Sequence, residues 1–185
     1  LSRETEVIFD SRRGQDYHSA NPPLYDSSTF HQTVLGGNAQ YDYARSGNPN
    51  RTLLEEKLAR LEGGKYAFAY ASGIAAITAV LLTLKSDDHV ILPDDIYGGT
   101  LRLTEQILNR FNIKFTTVNA TNILEIKNAI QSNTKLIYVE TPSNPLFKIT
   151  DIRAVARIAK QNNLLLAVDN TFMTPLGQSP LALGA

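Results

Sequence analysis

Four short stretches carry the side chains that could do chemistry, and each follows an apolar run. Ser72-Gly73-Ile74 follows Lys65–Ala71. Pro93-Asp-Asp-Ile-Tyr97-Gly-Gly-Thr100 follows His89–Leu92. Glu140-Thr-Pro-Ser-Asn144-Pro145 follows Lys135–Val139, and Asp169-Asn170-Thr171 follows Leu164–Val168.

Each stretch has a chemical reading and a plainer one. Ser72-Gly73-Ile74 opens a helix, whose free N–H groups and positive dipole end suit a phosphate, with glycine allowing close approach. It could equally be a serine N-cap with a glycine chosen for packing. Asp169 directly ends the most apolar run of the chain, where a carboxylate is costly to bury unless paired. A pyridinium nitrogen would suit it, because a nearby carboxylate keeps that nitrogen protonated and the ring electron-withdrawing. A cap for the next turn, or a partner for a cation, would satisfy it too. Tyr97 could lay its ring on a flat cofactor, or be an ordinary tyrosine of the core or surface.

Alternation of strands and helices must bring these stretches together. Helices are expected over Thr52–Leu61, Gly73–Leu84, Thr100–Phe111 and Asn122–Gln131, and from an N-cap at Thr150 to about Asn162. In the first, Leu53, Leu54, Leu58 and Leu61 share one side and Gly63-Gly64 is the stop. In the third, Leu101, Leu108 and Phe111 point inward. Strands are expected at Lys65–Ala71, His89–Pro93, Lys114–Val118, Lys135–Val139 and Leu164–Val168. Their uniformly apolar character is that of buried parallel strands covered by helices on both faces. In such a sheet, ligands bind beyond the carboxyl ends of the strands, where all four stretches fall.

The first fifty residues have another texture. They are polar, aromatic and rich in turn formers. Asn21–Phe30 reads as extended backbone, and Gly36-Gly37 and Ser46-Gly47-Asn48-Pro49 read as turns. Tyrosine and phenylalanine are uncommon in disordered segments, so this reads as an arm leaning on something else.

Composition narrows the function classes. The 185 residues carry 18 basic and 18 acidic side chains, which suggests neither a nucleic-acid patch nor a membrane surface. Cysteine is absent, and His18, His31 and His89 lack a metal-ligand spacing. No apolar run is long enough to span a bilayer and no signal peptide is visible, so a cytoplasmic protein is expected. There is no G-x-G-x-x-G, no G-x-x-x-x-G-K-[ST] and no G-x-S-x-G. Gly63-Gly64-Lys65 lacks the upstream glycine of a phosphate loop and follows a helix.

Five motifs in order carry a resemblance. They are Tyr43-Ala-Arg45-Ser-Gly-Asn-Pro49, Ala71-Ser72-Gly73-Ile74-Ala75, Asp95-Ile-Tyr97-Gly-Gly-Thr100, Glu140-Thr-Pro-Ser-Asn144-Pro145 and Val168-Asp169-Asn170-Thr171-Phe172. From about Asn21 to Ala185 the chain resembles the Cys/Met-metabolism family of fold-type-I enzymes dependent on pyridoxal 5'-phosphate (PLP). The family includes cystathionine γ-synthases, β- and γ-lyases, methionine γ-lyases and O-acetylhomoserine sulfhydrylases. The resemblance implies an α/β fold, the three-layer, aminotransferase-like large domain with a mostly parallel sheet. Residues 1–50 would be an extended arm contributing to a neighbouring subunit's site. Residues 51–185 would be the first part of the PLP-binding domain.

The resemblance also implies roles. Backbone N–H groups of Gly73 and Ile74 would hold the PLP phosphate. Tyr97 would stack on the pyridine ring, Asp169 would pair with its nitrogen, and Asn144 would lie near its phenolic oxygen. Glu140 and Thr171 would be polar neighbours in the pocket. Tyr43 and Arg45 would reach the phosphate of a neighbouring subunit in a homodimer or homotetramer with shared active sites. A guanidinium suits that task, since it offers paired donors to phosphate oxygens. Tyr97 and Tyr43 could also assist proton movement.

Two departures stand out. Ile74 occupies a position where methionine is common in the family, and backbone binding makes that unimportant. The lysine that carries the family's cofactor, and the arginine that binds the substrate carboxylate, are expected beyond Ala185, so the chain is expected to be a fragment of a longer protein. The wording around Asn144 and Asp169 is most similar to the bacterial cystathionine β-lyase branch. The expected activity is therefore carbon–sulfur lysis of cystathionine in methionine biosynthesis, giving homocysteine, pyruvate and ammonia. The γ-synthase, γ-lyase and sulfhydrylase reactions are alternatives within the family. A non-catalytic partner that kept the fold without its lysine is the alternative of another class.

Overall fold

The computed structural model describes residues 2–8, 21–32, 34, 36–37 and 39–185. The chain divides into two units, Leu1–Ala69 and Tyr70–Ala185. Of the expected arm, residues 1, 9–20, 33, 35 and 38 lie outside the described residues.

In the first unit, helix α1 spans Arg3–Ile8 and α2 spans Pro49–Glu62. The second begins three residues before the expected Thr52, because Asn48 caps it and Pro49 takes a position that needs no N–H. Gly63 ends it in a left-handed conformation. Leu61 is buried, whereas Leu54 is exposed rather than on the inner side. The 21–30 stretch holds no helix or strand and makes an antiparallel bridge, Thr29 to Tyr43. Asn48 and Asn50 hold it through side-chain bonds to Tyr25.

Lys65–Ala71 is not a strand. The sequence alternates, yet a strand also needs a hydrogen-bonded neighbour, and none of the described residues supplies one.

The second unit begins with α3 (Gly73–Leu81), capped by the Ser72 side chain, which accepts from the Ala75 N–H at 3.2 Å. It ends at Leu81 rather than Leu84, where a turn begins. Strand β1 (His89–Pro93) follows, then α4 (Gly98–Gln106), a 3-10 turn at Leu108–Phe111, and β2 (Lys114–Val118). Helix α4 thus starts earlier than Thr100 and tightens before Phe111. Leu108 is fully buried and Phe111 is exposed, which corrects its expected inward placement. Next come α5 (Ile123–Asn128), β3 (Thr134–Glu140), α6 (Ile152–Gln161), β4 (Leu165–Asp169), α7 (Thr174–Gly177) and α8 (Pro180–Leu183). The N-cap of α6 is Asp151, not Thr150: its carboxylate accepts from the Ala154 N–H and carries the charge a helix start favours. Thr150 is buried and donates its N–H to the Thr141 hydroxyl.

The four strands form one parallel sheet in the order β2-β1-β3-β4. Alternation divides the core between its faces. Val90, Leu92, Leu136 and Tyr138 pack with residues of α3 and with Leu101 and Leu108 on one side. Ile91, Ile137 and Val139 pack with Ile126 of α5 and Val155 and Ile158 of α6 on the other. This is the expected three-layer α/β arrangement. The outer strands depart from uniform burial: in β2 only Val118 is buried, and Leu165 of β4 is exposed, as strands with one neighbour allow.

Candidate active site

Parallel strands put their carboxyl ends on one edge, and the period of two then selects a face. Glu140 and Asp169 are paired in register across β3 and β4. They point to the same face as Tyr138, towards α3 and α4. A cleft of about 290 Å³ opens there. Ser72, Gly73 and Ile74 line it from the start of α3, and Tyr97 from the start of α4. Glu140, Asn144, Asp169 and Thr171 line it from the ends of β3 and β4.

The start of α3 is an open cradle. A Cβ added to Gly73 would meet no atom within 4 Å. Free N–H groups at that end, with space before them, suit an anion. The start of α4 is arranged differently. A Cβ on Gly99 would lie 2.4 Å from a carbon of the Tyr97 ring, so glycine lets that ring lie against the backbone.

Glu140 ties two parts of the cleft together. Its Oε2 accepts from the Tyr97 N–H at 2.8 Å and its Oε1 from the Asn144 N–H at 2.9 Å. Burial pushes its carboxyl above the usual range, with Asp169 and Asp95 adding to the rise and the two N–H donors opposing it. Asp95 braces the loop that carries Asn144: the Ser143 hydroxyl and the Leu146 N–H both donate to its Oδ2. Lys148 closes the loop, donating its N–H to Ser143 and its ammonium to Asp94.

Asp169 has assigned partners on both oxygens. Thr171 donates its N–H, at 3.0 Å, and its hydroxyl to Oδ1. The Tyr138 hydroxyl donates to Oδ2 at 3.1 Å. Asn170 and Gln178 bond each other, and Gln178 donates to the Thr141 carbonyl, which pins the turn after β4.

The structure therefore brings Gly73, Ile74, Tyr97, Glu140, Asn144, Asp169 and Thr171 to one cleft. Tyr43 and Arg45 belong to the other unit. There they meet each other: the guanidinium lies 5.5 Å from the Tyr43 ring centre and Nη2 donates to its hydroxyl at 3.4 Å. Tyr138, Ile77, Pro142 and Phe172 were not expected at the cleft or its base. Only Tyr138 had a readable signal, since it stands two residues before Glu140 on the same face. Among the described residues no cluster could hold a metal ion.

The donor set fits PLP: an open helix start for a phosphate, an aromatic ring beside it, and a carboxylate with acceptor capacity left. Comparison with known proteins agrees. The profile of the family described as Cys/Met metabolism PLP-dependent enzyme matches residues 4–185. A cystathionine β-lyase MetC of Staphylococcus haemolyticus is 84% identical over the whole chain, which covers 47% of that protein. A cystathionine γ-lyase of Bacillus subtilis is 46% identical, with 49% of it covered. The crystal structure of a cystathionine γ-lyase from Lactobacillus plantarum, complexed with L-serine, superposes with a TM-score of 0.94 at 43% identity; all of this chain and 49% of that one are covered. The chain spans about half the length of the curated relatives it matches.

Proposed function

The chain belongs to the Cys/Met-metabolism family of PLP-dependent enzymes, and from that premise we propose that the protein it forms part of is a carbon–sulfur lyase acting on cystathionine. With one water, cystathionine would give homocysteine, pyruvate and ammonia, a step in methionine biosynthesis. The observation that carries this reading is the 84% identity, over every residue here, to a cystathionine β-lyase. The γ-lyase reaction is the second reading, supported by the B. subtilis and L. plantarum relatives.

Bound in the cleft, PLP would supply an electron sink for the substrate's α-carbon. The residues of this chain would bind and orient it. Gly73 and Ile74 would give backbone N–H groups to the phosphate at the positive end of α3. The Tyr97 ring would cover one face of the pyridine ring. Asp169 would accept from the ring N–H and keep it protonated. The Asn144 amide would lie at the phenolic oxygen, with its backbone held by Glu140. Thr171 would keep Asp169 in place. Tyr97 and Tyr43 would assist proton movement. We further propose that the arm of residues 1–50 sends Tyr43 and Arg45 to the phosphate of a neighbouring subunit. The working unit is then a homodimer or homotetramer, and its location is the cytoplasm.

A product assay on the full-length protein, with PLP and cystathionine, tests the reading. Pyruvate with homocysteine supports it. 2-Oxobutyrate with cysteine turns it into a γ-lyase. Turnover only with an activated homoserine and cysteine turns it into a γ-synthase. No turnover with any of these leaves a non-catalytic member of the fold.

A further inference from the structure

We propose that Tyr138 is a positioning residue for Asp169, setting the plane of its carboxylate so that the remaining acceptor site of Oδ2 faces the cleft. The proposal rests on the PLP reading above. An ionised carboxylate has about four acceptor positions. Thr171 occupies Oδ1 with two donors, and Tyr138 occupies one side of Oδ2. One position is left, and Asp169 lines the cleft.

The donor is built to persist. Tyr138 is 3% exposed, and its ring packs in the core beneath α3 and α4. Burial, the adjacent Asp169 charge and then Glu140 push the phenol far above its ordinary range, so it remains an O–H donor at physiological pH. Behind it stands Thr100, whose hydroxyl is fully buried and lacks a regular hydrogen-bond partner among the described residues. That hydroxyl lies close enough to Tyr138 to oppose the rise. A buried polar group is retained at a cost unless it orders something. The bond from Tyr138 to Asp169 thus runs from the core to the cleft.

The test is Tyr138→Phe in the full-length protein reconstituted with PLP, beside Asp169→Asn and the double variant. The phenyl ring keeps its packing, and the melting temperature of the cofactor-free protein checks this. With the proposal right, kcat falls about tenfold while KM for cystathionine changes little, the equivalent of one lost charge-assisted hydrogen bond. The pH midpoint of the bound cofactor's absorbance moves as well. Added to Asp169→Asn, Tyr138→Phe changes neither quantity further. Wild-type absorbance and kcat in Tyr138→Phe, with both altered in Asp169→Asn, overturns the proposal and leaves the PLP reading standing. Additive effects of the two substitutions overturn it too. Wild-type behaviour of Asp169→Asn removes Asp169 from the ring nitrogen, and the proposal with it.

Discussion

Glu140 and Asp169 stand side by side at the carboxyl ends of β3 and β4, two carboxylates in paired register on one face. Their environments differ. Asp169 is held by side-chain hydroxyls and one N–H, whereas both oxygens of Glu140 accept backbone N–H groups from α4 and from the Asn144 loop. Glu140 therefore acts as a clasp between two walls of the cleft.

Glu140→Gln is expected to loosen that clasp. An amide has one oxygen and turns its NH2 towards a second donor, leaving either the Tyr97 or the Asn144 N–H without an acceptor. Removing a charge beside Asp169 returns part of the loss. The net cost is expected to be on the order of 1 kcal/mol. It should appear as a lower melting temperature and weaker PLP binding in a titration of the full-length protein. Unchanged PLP affinity would remove the clasp from the binding machinery.

Gly73→Ala separates binding from folding. A methyl group there meets no protein atom, and alanine favours a helix by up to about 1 kcal/mol over glycine. The cofactor-free protein should be as stable as wild type or more so. PLP affinity should fall, because the methyl enters the space the phosphate would use. Equal affinity in an equilibrium titration would place the phosphate elsewhere.

Arg45→Ala tests the arm. The guanidinium is exposed and contacts the Tyr43 ring and hydroxyl, so its loss should cost the fold little. PLP retention through dialysis should weaken in the full-length protein. Retention equal to wild type would count against a shared site.

His89 makes stability depend on pH at the opposite end of the sheet. Its ring is 1% exposed and bonds the Thr134 and Thr116 hydroxyls at 2.8 and 2.9 Å. Desolvation holds its pKa below the ordinary 6.5. The unfolded chain thus binds this proton more readily than the folded one. The contribution is full above 6.5 and is lost as pH falls through the lower folded value. Melting temperatures measured between about pH 5 and pH 8 should fall more steeply on the acid side for wild type than for His89→Gln. Parallel curves would refute this assignment.

Much of the site was readable before any fold was known. Asp169, Glu140, Tyr97 and Gly73 each stand where a strand ends or a helix starts, and a parallel sheet gathers such positions on one edge. The Asn48-Pro49 start of α2 has the composition of a turn, since a cap and a turn use the same residues. Thr150 and Asp151 are both N-cap residue types, so the sequence does not separate them, and the fold selects Asp151.

The residues by themselves determined the local elements. His89–Pro93 and Lys114–Val118 are strands over the same residues that their apolar and β-branched runs indicate. Caps and periodicity act within a few positions, so a linear reading captures them. The tertiary structure alone decided the strand order, the lack of a strand partner for Lys65–Ala71 among the described residues, the reach of Glu140 to two separate amides and the bond from Tyr138 to Asp169. Each depends on which segments become neighbours after the chain closes loops of tens of residues. Hydrogen bonds between such segments leave no periodic mark in the sequence, because their geometry exists only once the sheet has assembled.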